Sequence, residues 1–268
     1  NIIRPVVKRS FQRSRVEMLP LALRQAADTM LSGRPGPVNV DIPFNLFQEE
    51  AETETEAASG GYLSRRSGAA PDDVTRTMDM IMTAERPVLF IGHGVTLSEA
   101  GPELTELAHT LRIPVISSPN GMGCLDMTDD LSLGFIGRNG AYPANQAGRH
   151  ADLVIAIGAR FDDRSASSWT PGYSWNFPST ALIHVDVDHA EIGRNYPPTL
   201  GILADVRTFL RQALDELEGR DSDGHGRLAG WLDQIKGWRR EWDDFTTANF
   251  EIHTSPMRPE RVVADCQA

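Results

Sequence analysis

Three short runs bring together side chains and glycines that can do chemistry. The first is Gly92-His93-Gly94, directly after the apolar run Pro87–Ile91. Glycines at the end of a parallel strand let the backbone approach a phosphate, whose charge is met by main-chain N–H groups and the start of the next helix. The pattern is shorter than a full dinucleotide fingerprint, and it suits a tight β–α turn as well. The second run is Gly158-Ala159-Arg160-Phe161-Asp162-Asp163-Arg164, after Leu153–Ile157. Two arginines around two aspartates can hold a diphosphate and a sugar or ring edge through bidentate hydrogen bonds. The alternative is a surface ion-pair cluster, over which the position after a buried strand favours the ligand reading. The third is Asp186-Val187-Asp188, at the end of the apolar run 181–187. An acidic residue at a strand tip accepts ribose hydroxyls. Asp188 suits just as well the cap of a short helix over 190–193. Asp205, at the tip of the run 200–204, is open to the same two readings.

Other kinds of centre find no support. The seven histidines are scattered without metal-ligand spacing. There is no Gly-x-Ser-x-Gly elbow and no Gly-Lys-Ser/Thr phosphate loop. His93 reads as a turn residue.

The elements that must position these runs alternate. Helical spacing of Leu19, Ala22, Leu23, Ala26, Ala27, Met30 and Leu31 predicts a helix over 17–31, stopped by Gly33. A strand follows at 37–42. Residues 49–70, acidic and then rich in Ser, Gly and Ala, have little to bury and read as a linker. Beyond it, helices are expected at 74–84, 103–111, Tyr142–His150 and 206–217. Strands are expected at Pro87–Ile91, 113–117, Leu153–Ile157, 181–187 and 200–204. Short apolar strands separated by helices imply βαβ units. The expected fold is α/β: a doubly wound, Rossmann-like parallel sheet of about six strands with helices on both faces. After a charged break at 221–227, Trp231, Leu232, Ile235, Trp238, Trp242 and Phe245 fall on one face of a helix over 228–245. Leaving three tryptophans in water is costly, so that helix should pack on the body or on a neighbouring domain.

Composition narrows the partners. The 268-residue chain is 40% hydrophobic and carries a net charge of -11. That charge argues against nucleic acid or an anionic membrane as the main partner, because phosphate backbones need a basic footprint. A phosphate-bearing cofactor needs only a few local donors and stays open. Cys124 and Cys266 are far apart and suggest a reducing, cytoplasmic setting rather than a disulfide framework. No apolar run approaches the ~20 residues that span a bilayer.

Taken together, the segments resemble the thiamine diphosphate-dependent enzymes of the acetolactate synthase type. The matching stretches are SGRPGPVNVDIP at 32–43, PVLFIGHG at 87–94, LSLGFIGRNGAYPAN at 131–145, ADLVIAIGARFDDR at 151–164 and IHVDVDHAEIGRN at 183–195. The resemblance implies three domains in the full protein. Residues 1–48 would be the tail of a pyrimidine-binding domain, 49–70 a linker and 71–220 the central nucleotide-binding domain. Residues 221–268 would be a helix and the lead-in to a diphosphate-binding domain. Thiamine diphosphate and magnesium would sit outside this chain, which would not catalyse alone. The rest of the polypeptide would be its partner, and the full protein a homo-oligomer. In the central domain the family holds FAD, in some relatives ADP, in others nothing. Carried over position by position, the cofactor contacts would be Arg34, Gly92, Gly94, Gly137, Arg138, Asn139, Gly158, Ala159, Arg160, Phe161, Asp162, Asp186, Val187, Asp205 and Val206. The chain departs from the family at Gly137-Arg138-Asn139-Gly140-Ala141, where acetolactate synthases usually show Gly-Met-His-Gly-Thr. It departs again at Gly92-His93-Gly94, where they show three glycines. A non-flavin relative (a decarboxylase, acetyltransferase or hydrolase) and a free-standing nucleotide-binding module are the alternatives.

Overall fold

The computed structural model describes residues 2–52, 66–220 and 224–267. The chain forms two compact units, Asn1–Arg66 and Ser67–Ala268.

The first unit is a small βαβ arrangement. Strand β1 (Arg9–Gln12) pairs in parallel with β2 (Val38–Asp41), in the register Arg9↔Val38 to Gln12↔Asp41. Helix α1 (Leu19–Leu31) joins them and buries Ala22 and Ala26. Gly33 then takes a φ of +55°, a left-handed turn that lets the chain leave the helix. Only Phe11 of β1 points inward, so the strand has no apolar alternation by which sequence could reveal it. The linker expected at 49–70 lies mostly outside the described residues.

The second unit holds the main sheet. Its strands are β3 (Pro87–Ile91), β4 (Val115–Ser117), β5 (Ser132–Phe135), β6 (Leu153–Ile157), β7 (Ala181–Asp186) and β8 (Leu200–Leu203). All neighbouring strands pair in parallel, in the order β5-β4-β3-β6-β7-β8. The chain winds outward from β3 in one direction, then returns to β6 and winds outward in the other. Strands β3 and β6 are buried at every residue, which is why both read as unbroken apolar runs.

Strand pleating sends alternate side chains to two cores. One core sets Leu89, Ile91, Ile155, Ile157, Ile183 and Val185 under α2 (Pro71–Thr83), α4 (Gly101–Leu111) and α6 (Val206–Glu218). The other sets Val88, Phe90, Ile116, Val154, Ala156 and Leu182 under α5 (Tyr142–His150) and α8 (Ala229–Phe250). Helix α8 docks on this unit through Trp231, Ile235 and Trp238, and the Trp231 indole donates to Pro87 O at 3.2 Å. Trp242 stacks on Tyr142, whereas Phe245 is 63% exposed.

Further details differ from the sequence reading, and His93, read as a turn residue, opens the short helix α3 (His93–Leu97). Strand β5 fell between the expected elements, because only Leu133 of its four residues is fully buried. Helix α8 continues to Phe250, and a further helix spans Pro259–Gln267. Residues 190–193 form a turn rather than a short helix: Glu191 N–H reaches Asp188 O at 3.0 Å, and Gly193 takes a φ of +75°.

Candidate nucleotide site

The winding reverses between β3 and β6, and open α/β sheets bind ligands in the crevice outside the carboxyl ends at such a point. Gly92 follows β3 and Gly158 follows β6. Their segments lie backbone against backbone. Gly92 N–H donates to Ile157 O at 3.1 Å, and Gly94 N–H to Gly158 O at 3.0 Å. A Cβ on Gly94 would stand 2.6 Å from Gly158 Cα, and one on Gly158 would stand 2.7 Å from Gly94 Cα. Gly121, after β4, approaches Ile91 O in the same way, its Cβ position falling 2.5 Å from that oxygen. These glycines are therefore demanded by a backbone seam. The two N–H groups that the sequence suggested for a phosphate point instead to carbonyls of the adjoining segment.

Two loops flank the seam. The loop after β5 contains Gly137, Arg138 and Asn139; the loop after β6 runs from Gly158 to Arg164. Gly137, at φ +118°, backs onto the Arg164 carbonyl so closely that no Cβ would fit. Asn145 on α5 fixes the base of this turn: its Oδ1 accepts Gly137 N–H at 3.2 Å and its Nδ2 donates to Gly137 O at 2.9 Å. Arg138 pairs with Asp163 across the two loops. Asn139 is exposed.

The five residues after Gly158 have separate duties. Ala159 is buried, and its carbonyl accepts His184 Nε2 at 3.0 Å. Arg160 reaches outward, with its Nη1 3.7 Å from the buried Glu191 carboxylate. Phe161 is 3% exposed and packs edge-on against Trp175, Phe177, His184 and Tyr196. Its carbonyl accepts Trp169 Nε1 at 3.1 Å and Asn195 Nδ2 at 2.7 Å. Asp162 Oδ1 closes a turn on Ser165, accepting its N–H at 2.9 Å and its hydroxyl at 2.8 Å. Asp163 Oδ1 accepts Ser168 Oγ at 2.9 Å. Farther on, Ser167, Ser168 and Trp169 all have φ between 50° and 56°. Left-handed non-glycine residues in succession are strained.

At the tip of β7, Asp186 is buried and its Oδ1 accepts Asp188 N–H at 2.8 Å. Val187 is half-buried. Asp205 caps α6: its Oδ1 accepts Thr208 N–H at 3.1 Å, and its Oδ2 accepts Ser98 Oγ at 2.7 Å. Val206 belongs to the core. Arg34 stands exposed in the first compact unit, where its carbonyl accepts Lys8 Nζ at 3.0 Å.

The structure thus gathers Gly92, Gly94, Gly137, Arg138, Asn139 and Gly158 to Asp162 along one carboxyl edge. Polar side chains directed outward there are Arg138, Asn139 and Arg160. Ala159, Phe161 and Val206 could meet a ligand only through their main chain. Sequence reading missed His184, whose burial pushes its pKa down despite the Ala159 carbonyl that it bonds. The available signal was a histidine inside the apolar run Ala181–Asp186. It also missed Asn145, for which no local pattern exists. Among the described residues no group of three or more His, Cys, Asp or Glu is placed to hold a metal ion. No described helix is long and apolar enough to cross a membrane.

A parallel sheet of six strands that winds outward both ways from a reversal between β3 and β6 defines a Rossmann-like, doubly wound α/β domain. Comparison with known proteins gives the family: the model "Thiamine pyrophosphate enzyme, central domain" matches residues 74–213, just over half the chain. The chain belongs to that family. It is similar to the probable acetolactate synthase large subunit of Methanocaldococcus jannaschii, at 33% identity over 97% of this chain and 43% of that protein. It is 30% identical to the acetolactate synthase large subunit of Haemophilus influenzae, over 98% of the chain and 45% of that protein. With acetolactate synthase isozyme 3 large subunit of Escherichia coli it shares 29% identity over the same shares. The chain therefore spans less than half the length of these relatives.

Proposed function

We propose that this chain is the central part of a thiamine diphosphate-dependent enzyme that decarboxylates a 2-oxo acid and joins the remainder to a second carbonyl compound. The observation that carries the reading is the coincidence of family and geometry. A thiamine-enzyme central domain, similar to acetolactate synthases over nearly its whole length, has its glycines at the reversal of the sheet. Thiamine diphosphate, when bound with magnesium, supplies the carbanion chemistry of such a reaction. This chain's own part is to hold an adenine nucleotide, with FAD the leading occupant, and to brace the neighbouring domains.

The residues present fit a nucleotide in one respect. Gly92, Gly94 and Gly158 are taken up by the backbone seam, so the fit rests on the loops beside the reversal. Arg138, Asn139 and Arg160 supply donors suited to phosphate and carbonyl oxygens. Asp186 suits a ribose hydroxyl less simply, since its Oδ1 already serves Asp188. No general acid, general base or nucleophile of the reaction is assigned here, and the isolated chain is expected to be inactive.

The test uses the intact protein with thiamine diphosphate, magnesium and pyruvate. Acetolactate formation, with stoichiometric flavin released on denaturation, supports the whole reading. Release of free aldehyde alone would replace carboligation by simple decarboxylation. A colourless, flavin-free preparation that still forms acetolactate would remove FAD and leave the carboligase.

A further inference from the structure

The second compact unit begins at Ser67, and its first residues run along α6. Their composition, Ser-Gly-Ala-Ala at 67–70, is that of the linker before them. Ser67 and Gly68 are exposed, and Ala69 offers the core a single methyl. Apolar burial therefore does little to hold this strap. Hydrogen bonds do more. The Gln212 side chain on α6 meets the N–H and the carbonyl of one residue: its Oε1 accepts Ala69 N–H at 2.8 Å, and its Nε2 donates to Ala69 O at 3.1 Å. That is the exchange a residue on a neighbouring antiparallel strand would make. At the start of the strap, Asp205 N–H donates to Ser67 O at 2.9 Å. Between these anchors Gly68 lies close against α6. A Cβ there would stand 3.1 Å from Gln212 Oε1 and 3.3 Å from both Gln212 Nε2 and Thr208 Cγ2.

We infer that Gln212 is a latch: its amide stands in for a partner strand and decides whether residues 67–69 belong to the folded body or to the linker. The inference is independent of what the nucleotide site holds. A primary amide suits the task because it carries a donor and an acceptor side by side, and no other uncharged side chain has both in that arrangement. The latch closes onto a fixed point. Asp205, which holds Ser67, also caps α6 and accepts Ser98 Oγ at 2.7 Å, so the strap is bonded to the residue that joins α6 to the segment after β3. Opening the latch would add the strap to the linker. At about 3.3–3.6 Å per residue, residues 67–69 would lengthen it by up to about 10 Å.

The experiment follows amide hydrogen exchange at Ala69, and tryptic cleavage after Arg66, in the intact protein. The variants are Gln212→Met, Gly68→Ala and the control Gln234→Met on the exposed side of α8. Methionine keeps the length and helix propensity of glutamine and removes both hydrogen bonds. Gln212→Met should speed exchange at Ala69 and cleavage after Arg66 by about fivefold to a hundredfold, the range for two lost hydrogen bonds, and leave the interior of α6 protected. Gly68→Ala tests the same latch from the strap, since its methyl presses on the Gln212 amide, and should shift both rates in the same direction. Gln234→Met should match wild type. Unchanged exchange at Ala69 in Gln212→Met overturns the inference. So does a loss of protection that spreads equally through α2 and α6, which would make Gln212 a general stability residue. Should Gln212→Met fail to fold, Gly68→Ala decides: faster exchange confined to the strap supports the latch, and unchanged exchange overturns it.

Discussion

Replacing Gly92 by alanine should open the seam between β3 and β6. The backbone there is φ -120°, ψ -171°, which any residue adopts, so no conformational strain confuses the result. Only space is at issue. The new Cβ would collide with the Gly158 carbonyl oxygen, stand 2.5 Å from Ala159 Cα and 2.9 Å from Ala159 Cβ. These are backbone atoms or a stub methyl, and none can rotate away. Relief must come from separating the two segments, which stretches the Gly92 N–H to Ile157 O and Gly94 N–H to Gly158 O bonds. Overpacking costs about 1–3 kcal/mol, and a buried donor left unsatisfied about 1–3 kcal/mol more. The expected loss is then about 2–6 kcal/mol, a large part of the 5–15 kcal/mol typical of a folded domain. Urea unfolding followed by the fluorescence of buried Trp175 and Trp231 reports it. Gly237→Ala in α8 is the matched control, since nothing lies within 4 Å of its Cβ position. That change should stabilise by about 0.5–1 kcal/mol. A Gly92→Ala midpoint within error of wild type would refute the packing argument.

The other predictions concern the side chains around the seam. Phe161→Ala should cost about 3–5 kcal/mol by thermal or chemical melt, because it hollows an aromatic cluster; a loss under 1 kcal/mol would mean that Phe161 is not a core residue. Asp205→Ala removes the cap of α6 and should cost about 1 kcal/mol, and Asp205→Asn should restore most of it in the same melt. His184 is expected to make stability pH-dependent. Burial holds its pKa in the folded protein below the ordinary value of 6.5, so folding favours the neutral ring. That contribution is complete above pH 6.5 and is lost as pH falls below it and through the lower folded value. His184→Gln, which cannot titrate, should flatten the loss below about pH 6.5; an unchanged slope would assign the acid sensitivity elsewhere.

The legible parts of this chain are those whose cause is local. Strands β3 and β6 declared themselves as five-residue apolar runs because both their faces are covered. Strand β5, with one fully buried residue, offered nothing to count. At the site, sequence located the loops but not their duties. It showed that glycine stands at positions 92 and 94. It could not show that the missing Cβ makes room for Gly158, since that contact depends on strand order. Asp205 was open to two readings, and the capping geometry with Thr208 shows the local one in use.

Phe161 is the instructive case. Its neighbours Arg160, Asp162 and Asp163 are polar, and the run reads as a ligand-facing strip. Yet the ring turns inward, toward partners on β3, in the segment 175–177, on β7 and at position 196. With Phe161 as the anchor, Arg160 is directed to Glu191 and Asp163 to Arg138, on either side of the loop. A buried aromatic therefore sets the spacing of the two charges, which makes the core and the candidate site one structural problem at this loop.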